Sequence, residues 1–159
     1  NTPITLHAFV LTAVLLGATA VSVLLVLDLK YSEVAHKPET AARRQIIYQT
    51  FVWLAMAACI TAIAILILNL RLIDTLRLGN ASSQTSFLLL LGLYQPLFAL
   101  RYIALFTGVS WLGLTAIYLR RRKTKFKFTT FVYLACLFIL IAEIMGRFLF
   151  YAIHVRSGL

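Results

Sequence analysis

Four long apolar segments separated by polar connectors set the pattern of this chain. They cover residues 4–29, 46–70, 102–119 and 128–154. A helix rises about 1.5 Å per residue, so each segment is long enough to cross a hydrocarbon core about 30 Å thick. The pattern predicts an all-α polytopic membrane protein in which four transmembrane helices pack into one bundle.

The region before the third apolar segment is the hardest to assign. Its apolar run is interrupted by Gln95-Pro96 and then by Arg101, and residues 87–94 are too few to span a membrane. We interpret residues 87–94 as an interfacial or re-entrant piece and place Arg101 at the outer end of the third span. Two alternatives stay open. One is a long helix that starts near residue 87 and bends at Pro96, and the other is a buried polar site at Arg101.

The composition supports a membrane protein, because 62% of the residues are hydrophobic and the mean hydropathy is +0.92. The formal net charge of +10 does not indicate a nucleic-acid partner, since six of the fifteen basic residues fall in one connector between two spans. Those six are Arg120, Arg121, Arg122, Lys123, Lys125 and Lys127. Basic residues in short loops stay on the cytoplasmic side during insertion, so we assign this connector a role in topology.

The distribution of the basic residues also predicts the orientation of the helices. Four lie in the first connector and six in the third, whereas three lie between the second and third spans. The first four are Lys30, Lys37, Arg43 and Arg44, and the last three are Arg71, Arg77 and Arg101. Ten against three places both rich connectors in the cytoplasm and both ends of the chain outside.

The last span carries an acidic residue, Glu143, within apolar sequence. Arg147 and Tyr151 follow it at intervals of four and His154 follows three residues later, so all four side chains project from one stripe of the helix. A charge at the bilayer centre costs at least about 2.5–3.5 kcal/mol, so we expect the stripe to face other helices. We predict that Glu143 and Arg147 form an internal pair that determines helix packing. The open alternative is that the pair also contacts a quinone, a proton path or a partner subunit.

Motifs for catalysis or metal binding are missing from the sequence, and we predict no catalytic residue and no metal ligand. Cys59 and Cys136 stand alone in apolar segments and are interpreted as small buried residues. His36 lies in a connector. His7 and His154 fall on the same predicted side of the membrane, so a b-type haem held between the first and fourth helices is an alternative function.

A small transporter or channel-like protein is the main alternative from another functional class. Such a protein would place further polar residues at mid-membrane in its other spans. The first three spans offer mainly hydroxyl groups, at Thr12, Thr19, Ser22, Thr61, Thr107, Ser110 and Thr115. These hydroxyl groups are few for a transport pathway.

The tail of the chain, residues 142–159, resembles the closing stretch of the DmsC family, the membrane anchor subunits of bacterial dimethyl-sulfoxide-reductase-type molybdoenzymes. The residues that carry the resemblance are Glu143, Gly146, Arg147, Phe150 and Tyr151. Weaker support comes from Leu100-Arg101 ahead of a span and from the opening Asn1-Thr2-Pro3, which is similar to the start of the family's fifth helix.

The resemblance implies that this chain is the C-terminal half of an eight-span subunit of the bacterial inner membrane, with both of its ends periplasmic. The chain starts without Met and lacks the features of a signal peptide, so we expect it to be part of a longer polypeptide or its mature product. Family members hold an iron–sulfur subunit and a molybdopterin catalytic subunit at the membrane and take electrons from quinol, menaquinol or a related compound. Their quinol-contacting residues lie in the N-terminal half, so no cofactor is expected on this chain.

Overall fold

A computed structural model of the chain describes residues 3–34, 41–78, 84, 88, 90, 92–120 and 128–156. Its four long helices are α1 (Pro3–Val34), α2 (Ala41–Leu78), α3 (Gln95–Arg120) and α4 (Phe128–Arg156), and the described residues include no strand. Each helix contains a segment long and apolar enough to cross a membrane, namely Leu6–Tyr31, Gln45–Thr75, Gln95–Leu119 and Thr129–Ala152. The predicted all-α architecture with four spans is confirmed.

The helices pack in a closed square, in which α1 contacts α2 and α4 while α3 contacts the same two helices. Neighbours are antiparallel. Near the end of α1, Asp28 accepts a hydrogen bond from Arg43 near the start of α2, at 2.8 Å, and near the start of α1 the ring of Phe9 lies 5.8 Å from that of Phe150 near the end of α4. The upper end of the bundle therefore contains the starts of α1 and α3 and the ends of α2 and α4. The opposite, lower end contains the ends of α1 and α3 and the starts of α2 and α4, which the two basic connectors join in the sequence.

Small side chains let the helices approach closely in the core, as in other membrane bundles. The buried core alternates alanines with larger residues; its members include Leu15, Phe51, Ala55, Ala58, Ala62, Ile65, Leu105, Leu112, Ala135, Ile139 and Ala142. The outer faces carry exposed large hydrophobic residues such as Leu24, Trp53 and Ile103. A bundle with apolar side chains both inside and outside suits a bilayer, where lipid covers the outer faces.

The third span starts earlier than its predicted first residue, 102, and this prediction was wrong. Gly92 to Tyr94 form a turn, and α3 begins at Gln95 with Pro96 in its first turn. Proline suits this position because its ring sets φ near the helical value and its missing N–H would have no partner there. The turn also separates α3 from the helical residues Leu88 and Leu90, so the alternative of one helix kinked at Pro96 was wrong as well.

Several predictions concern residues outside the described part of the chain. These are the basic connector from 121 to 127, His36 in the first connector, and residues 87, 89 and 91 of the proposed interfacial piece at 87–94. The side chains of Arg44, Arg120 and His154 also belong to this group.

Candidate functional site

A group of polar side chains lies among apolar residues near the upper end of the bundle. We call Thr12, Arg101, Tyr102, Glu143 and Arg147 the upper polar cluster. Three of its members are buried, with exposed fractions of 6% for Thr12, 9% for Arg101 and 5% for Glu143. Helix α1 contributes Thr12, α3 contributes Arg101 and Tyr102, and α4 contributes Glu143 and Arg147. The cluster therefore joins three of the four helices.

Arg101 lies inside the bundle and not at the outer end of a span, so the preferred prediction for it was wrong and the alternative of a buried polar site is correct. Its position is six residues into α3, about 9 Å along the helix axis. The guanidinium rests against the backbone of α4 at Gly146. A Cβ atom at Gly146 would lie 2.6 Å from Arg101 Cζ and 2.7 Å from its Nε. Only glycine at position 146 leaves room for this arginine as it is placed.

The predicted direct pair of Glu143 and Arg147 is not formed. Among the described residues the structure has one ion pair within 4.0 Å, between Arg43 and Asp28 at the lower end. Arg147 turns toward α1 instead: its Cζ atom lies 3.9 Å from the centre of the Phe9 ring, and its Nη2 donates a long hydrogen bond of 3.5 Å to Thr12 Oγ1. Stacking on an aromatic face thus replaces the carboxylate as the main partner of this guanidinium.

The carboxylate of Glu143 still interacts electrostatically with both arginines, although neither is within ion-pair distance. Three buried atoms near one another lack a hydrogen-bond partner within the described part of the chain: Arg101 Nε, Tyr102 Oη and Glu143 Oε1. An unpaired buried polar group costs about 1–3 kcal/mol. The site thus combines a hydrogen-bond donor, a hydrogen-bond acceptor, and a hydroxyl group that can donate or accept. Such a set can hold a polar group in place but includes no nucleophile.

The predicted stripe on the last helix turns from the inside of the bundle to its surface. Glu143 is buried, Arg147 is half-buried and Tyr151 is 60% exposed. With 3.6 residues per turn, each step of four residues advances about 40° beyond a full turn, which explains the drift. The side chain of His154 lies outside the described residues.

Two members of the cluster and its aromatic neighbour were not singled out by sequence reasoning as site residues. The sequence marks Thr12 only as a mid-membrane hydroxyl, and it places Phe9 and Tyr102 within apolar segments. The available signal for Tyr102 was its place directly after Arg101. Phe9 and Thr12 are three residues apart on one face of α1, but nothing local indicates that this face meets Arg147.

The other buried hydroxyl groups of the spans donate hydrogen bonds within their own helices. The hydroxyl of Thr19 donates to the carbonyl of Leu16 at 2.9 Å, and Ser22 donates to Ala18 at 2.8 Å. Thr61 and Thr115 donate to Ala57 and Trp111, one turn earlier in each case. These groups therefore do not form a continuous polar path.

Those candidate metal and redox residues whose side chains the structure describes do not come together. The side chain of His7 is exposed on α1, and Cys59 and Cys136 are half-buried free thiols, less buried than predicted. No group of three His, Cys, Asp or Glu side chains with the geometry of a metal site occurs among the described residues.

Comparison with protein-family models, with curated proteins and with solved structures finds no match to this chain.

Proposed function

We propose that this chain forms part of a membrane anchor subunit of a bacterial quinol-linked molybdoenzyme oxidoreductase. In this proposal the bundle is the C-terminal half of the subunit and packs beside an N-terminal half that contacts menaquinol or a related quinol. It docks an iron–sulfur subunit and a molybdopterin catalytic subunit and carries no cofactor of its own. Both ends of the chain are periplasmic in the inner membrane.

The observation that carries the proposal is the convergence of two separate parts of the family resemblance, the tail motif and Leu100-Arg101. Leu100-Arg101 lies more than forty residues before Glu143, Gly146 and Arg147 in the sequence. In the bundle the Arg101 guanidinium occupies the space left by Gly146, beside the carboxylate of Glu143. Gly146 and Glu143 lie where α4 meets Arg101 of α3, while Arg147 contacts Phe9 of α1. A motif whose residues contact two neighbouring helices in this way serves helix packing. This supports a scaffolding role for the chain.

The two alternatives receive less support from the side chains. A transport pathway requires polar groups that are available along the bundle axis, but the buried hydroxyls of α1, α2 and α3 donate to carbonyls of their own helices. A haem held inside the bundle requires inward-facing histidines, and His7 is exposed on α1.

Purification from native membranes tests the proposal. An affinity-tagged chain, extracted in a mild detergent, is expected to copurify with a protein that contains iron–sulfur clusters, detected by mass spectrometry and by electron paramagnetic resonance. The purified complex is expected to oxidise menadiol with an artificial electron acceptor. A preparation that contains this chain with no iron–sulfur protein and no menadiol oxidation would overturn the assignment.

A further inference from the structure

The upper polar cluster has more positive than negative charge. It contains the guanidinium groups of Arg101 and Arg147 and one carboxylate, that of Glu143. Of the other acidic residues, Asp74 lies toward the upper end of the bundle. It is exposed on α2, a helix that does not contact α4. An uncompensated cation within a membrane is costly. An additional anion is therefore needed to balance the charge of the cluster.

Arg147 is the cation that can reach this anion. It is half-buried, whereas Arg101 is enclosed behind Gly146. One face of its guanidinium is covered by Phe9, and its only hydrogen bond within the described residues is the 3.5 Å contact to Thr12. A guanidinium has five N–H donors, so most of those on Arg147 remain available along the rim of the group. In lipid these donors need an acceptor.

The side chain of Arg147 is within reach of the lipid head groups. It lies five residues before Ala152, the last residue of the fourth span, which corresponds to about 7.5 Å along the axis. A long arginine side chain near the end of a span can extend to the interface. Its side chain sits between α1 and α4, the pair of neighbouring helices that packs least extensively in the bundle. Phe9 and Phe150 form an edge-to-face pair at 5.8 Å beside it.

We infer that the crevice between α1 and α4 at the upper end binds the phosphate group of an anionic membrane lipid, with Arg147 as its principal ligand. A planar guanidinium can donate two parallel hydrogen bonds to a phosphate. The acyl chains then lie along the exposed apolar faces of α1 and α4, which carry Leu6, Val10, Ile144 and Phe148. This inference does not depend on the proposed role in quinol oxidation.

Native mass spectrometry of the detergent-purified protein, with any subunits that copurify, tests the site. The probes are phosphatidylglycerol and phosphatidylcholine with identical acyl chains. The wild-type protein is expected to prefer phosphatidylglycerol, and Arg147→Gln is expected to weaken its binding about tenfold or more, as the loss of a charge-assisted contact predicts. The matched control is Arg71→Gln, which removes an exposed arginine of α2 at the same end of the bundle and is expected to change the affinity less than twofold.

Three results would overturn the inference: equal binding of the two lipids by the wild type, equal losses in Arg147→Gln and Arg71→Gln, or displacement of phosphatidylglycerol by the same concentration of inorganic phosphate. The last result would indicate a site for free anions. Arg147→Lys preserves the charge and is used where Arg147→Gln does not fold. It is expected to retain the preference for phosphatidylglycerol with lower affinity, and loss of that preference would contradict a phosphate site.

Discussion

At the scale of single residues, Gly146 and Arg101 illustrate how a charge is accommodated in an apolar bundle. The guanidinium of Arg101 occupies the place of a side chain on α4, and glycine is the one residue that leaves this place empty. Gly17, in contrast, has nothing within 4 Å of its would-be Cβ and is exposed. Two glycines in membrane-spanning helices thus have opposite structural roles.

We predict that Gly146→Ala lowers the free energy of unfolding by about 1 kcal/mol, because the new methyl group displaces the flexible end of the Arg101 side chain and no backbone atom. Thermal unfolding in detergent, followed by circular dichroism, measures the change. Gly17→Ala is the control and is expected to be neutral or to stabilise the protein by up to about 1 kcal/mol through helix propensity. In an Arg101→Leu background the cost of Gly146→Ala is expected to shrink. A cost that stays the same in that background would show that Arg101 is not the source of the conflict.

At the scale of helices, the contact between α3 and α4 is the most extensive in the bundle. The two helices approach closely at Gly108, where a Cβ atom would lie 2.8 Å from the backbone oxygen of Ala135 and 3.2 Å from the backbone nitrogen of Ile139. Trp111 adds edge-to-face contacts with Phe131 and Phe138 of α4. The two helices therefore meet backbone to backbone at one point and through aromatic rings one turn farther along.

Gly108→Ala is expected to destabilise the bundle by about 1–3 kcal/mol, because the atoms that obstruct the new methyl group belong largely to the backbone and α4 must move away. Gly113→Ala on the same helix provides the comparison. Its new Cβ would meet only Cys59 Sγ at 3.9 Å, an ordinary contact, and we expect no loss of stability. The measurement compares the thermal unfolding midpoints of the two variants in the same detergent, and Gly108→Ala is expected to have the lower one. Similar midpoints would argue against a close α3–α4 approach at Gly108.

At the scale of the whole molecule, the helix ends that the basic connectors join lie at the lower end of the bundle, and the upper polar cluster lies near the other end. Because Lys and Arg of short loops are retained in the cytoplasm, we predict that the cluster faces the periplasm. The exposed ion pair of Asp28 and Arg43 at the lower end contributes little to stability, about 0–1 kcal/mol, as is usual for surface pairs.

Cysteine labelling in intact bacterial cells tests this orientation. In a background with Cys59→Ala and Cys136→Ala, we expect Gln84→Cys to react with a membrane-impermeant maleimide that enters the periplasm. We expect Thr124→Cys, in the basic connector, to react only after the membrane is permeabilised. Labelling in detergent confirms that both thiols are reactive. The reverse pattern of labelling in intact cells would show that the bundle is inserted the other way.

The sequence alone determined the number of spans and the all-α architecture, because long apolar segments between charged connectors have few alternatives in a bilayer. It located Glu143 and Arg147 as polar residues of one helix and raised a buried Arg101 as an alternative. It misplaced the start of the third span, since hydropathy treats Pro96 and Arg101 as interruptions although proline is suited to a first helical turn and an arginine can be buried against another helix.

Only the tertiary structure decided which side chains meet. Arg101 is accommodated by Gly146, more than forty residues later in the chain, and Arg147 stacks on Phe9 of α1 and not on the carboxylate one turn away. Spacing along one helix specifies the direction of each side chain, but a contact also depends on which neighbouring helix packs there and how closely. That information comes from the joint packing of all four helices, and no single segment contains it.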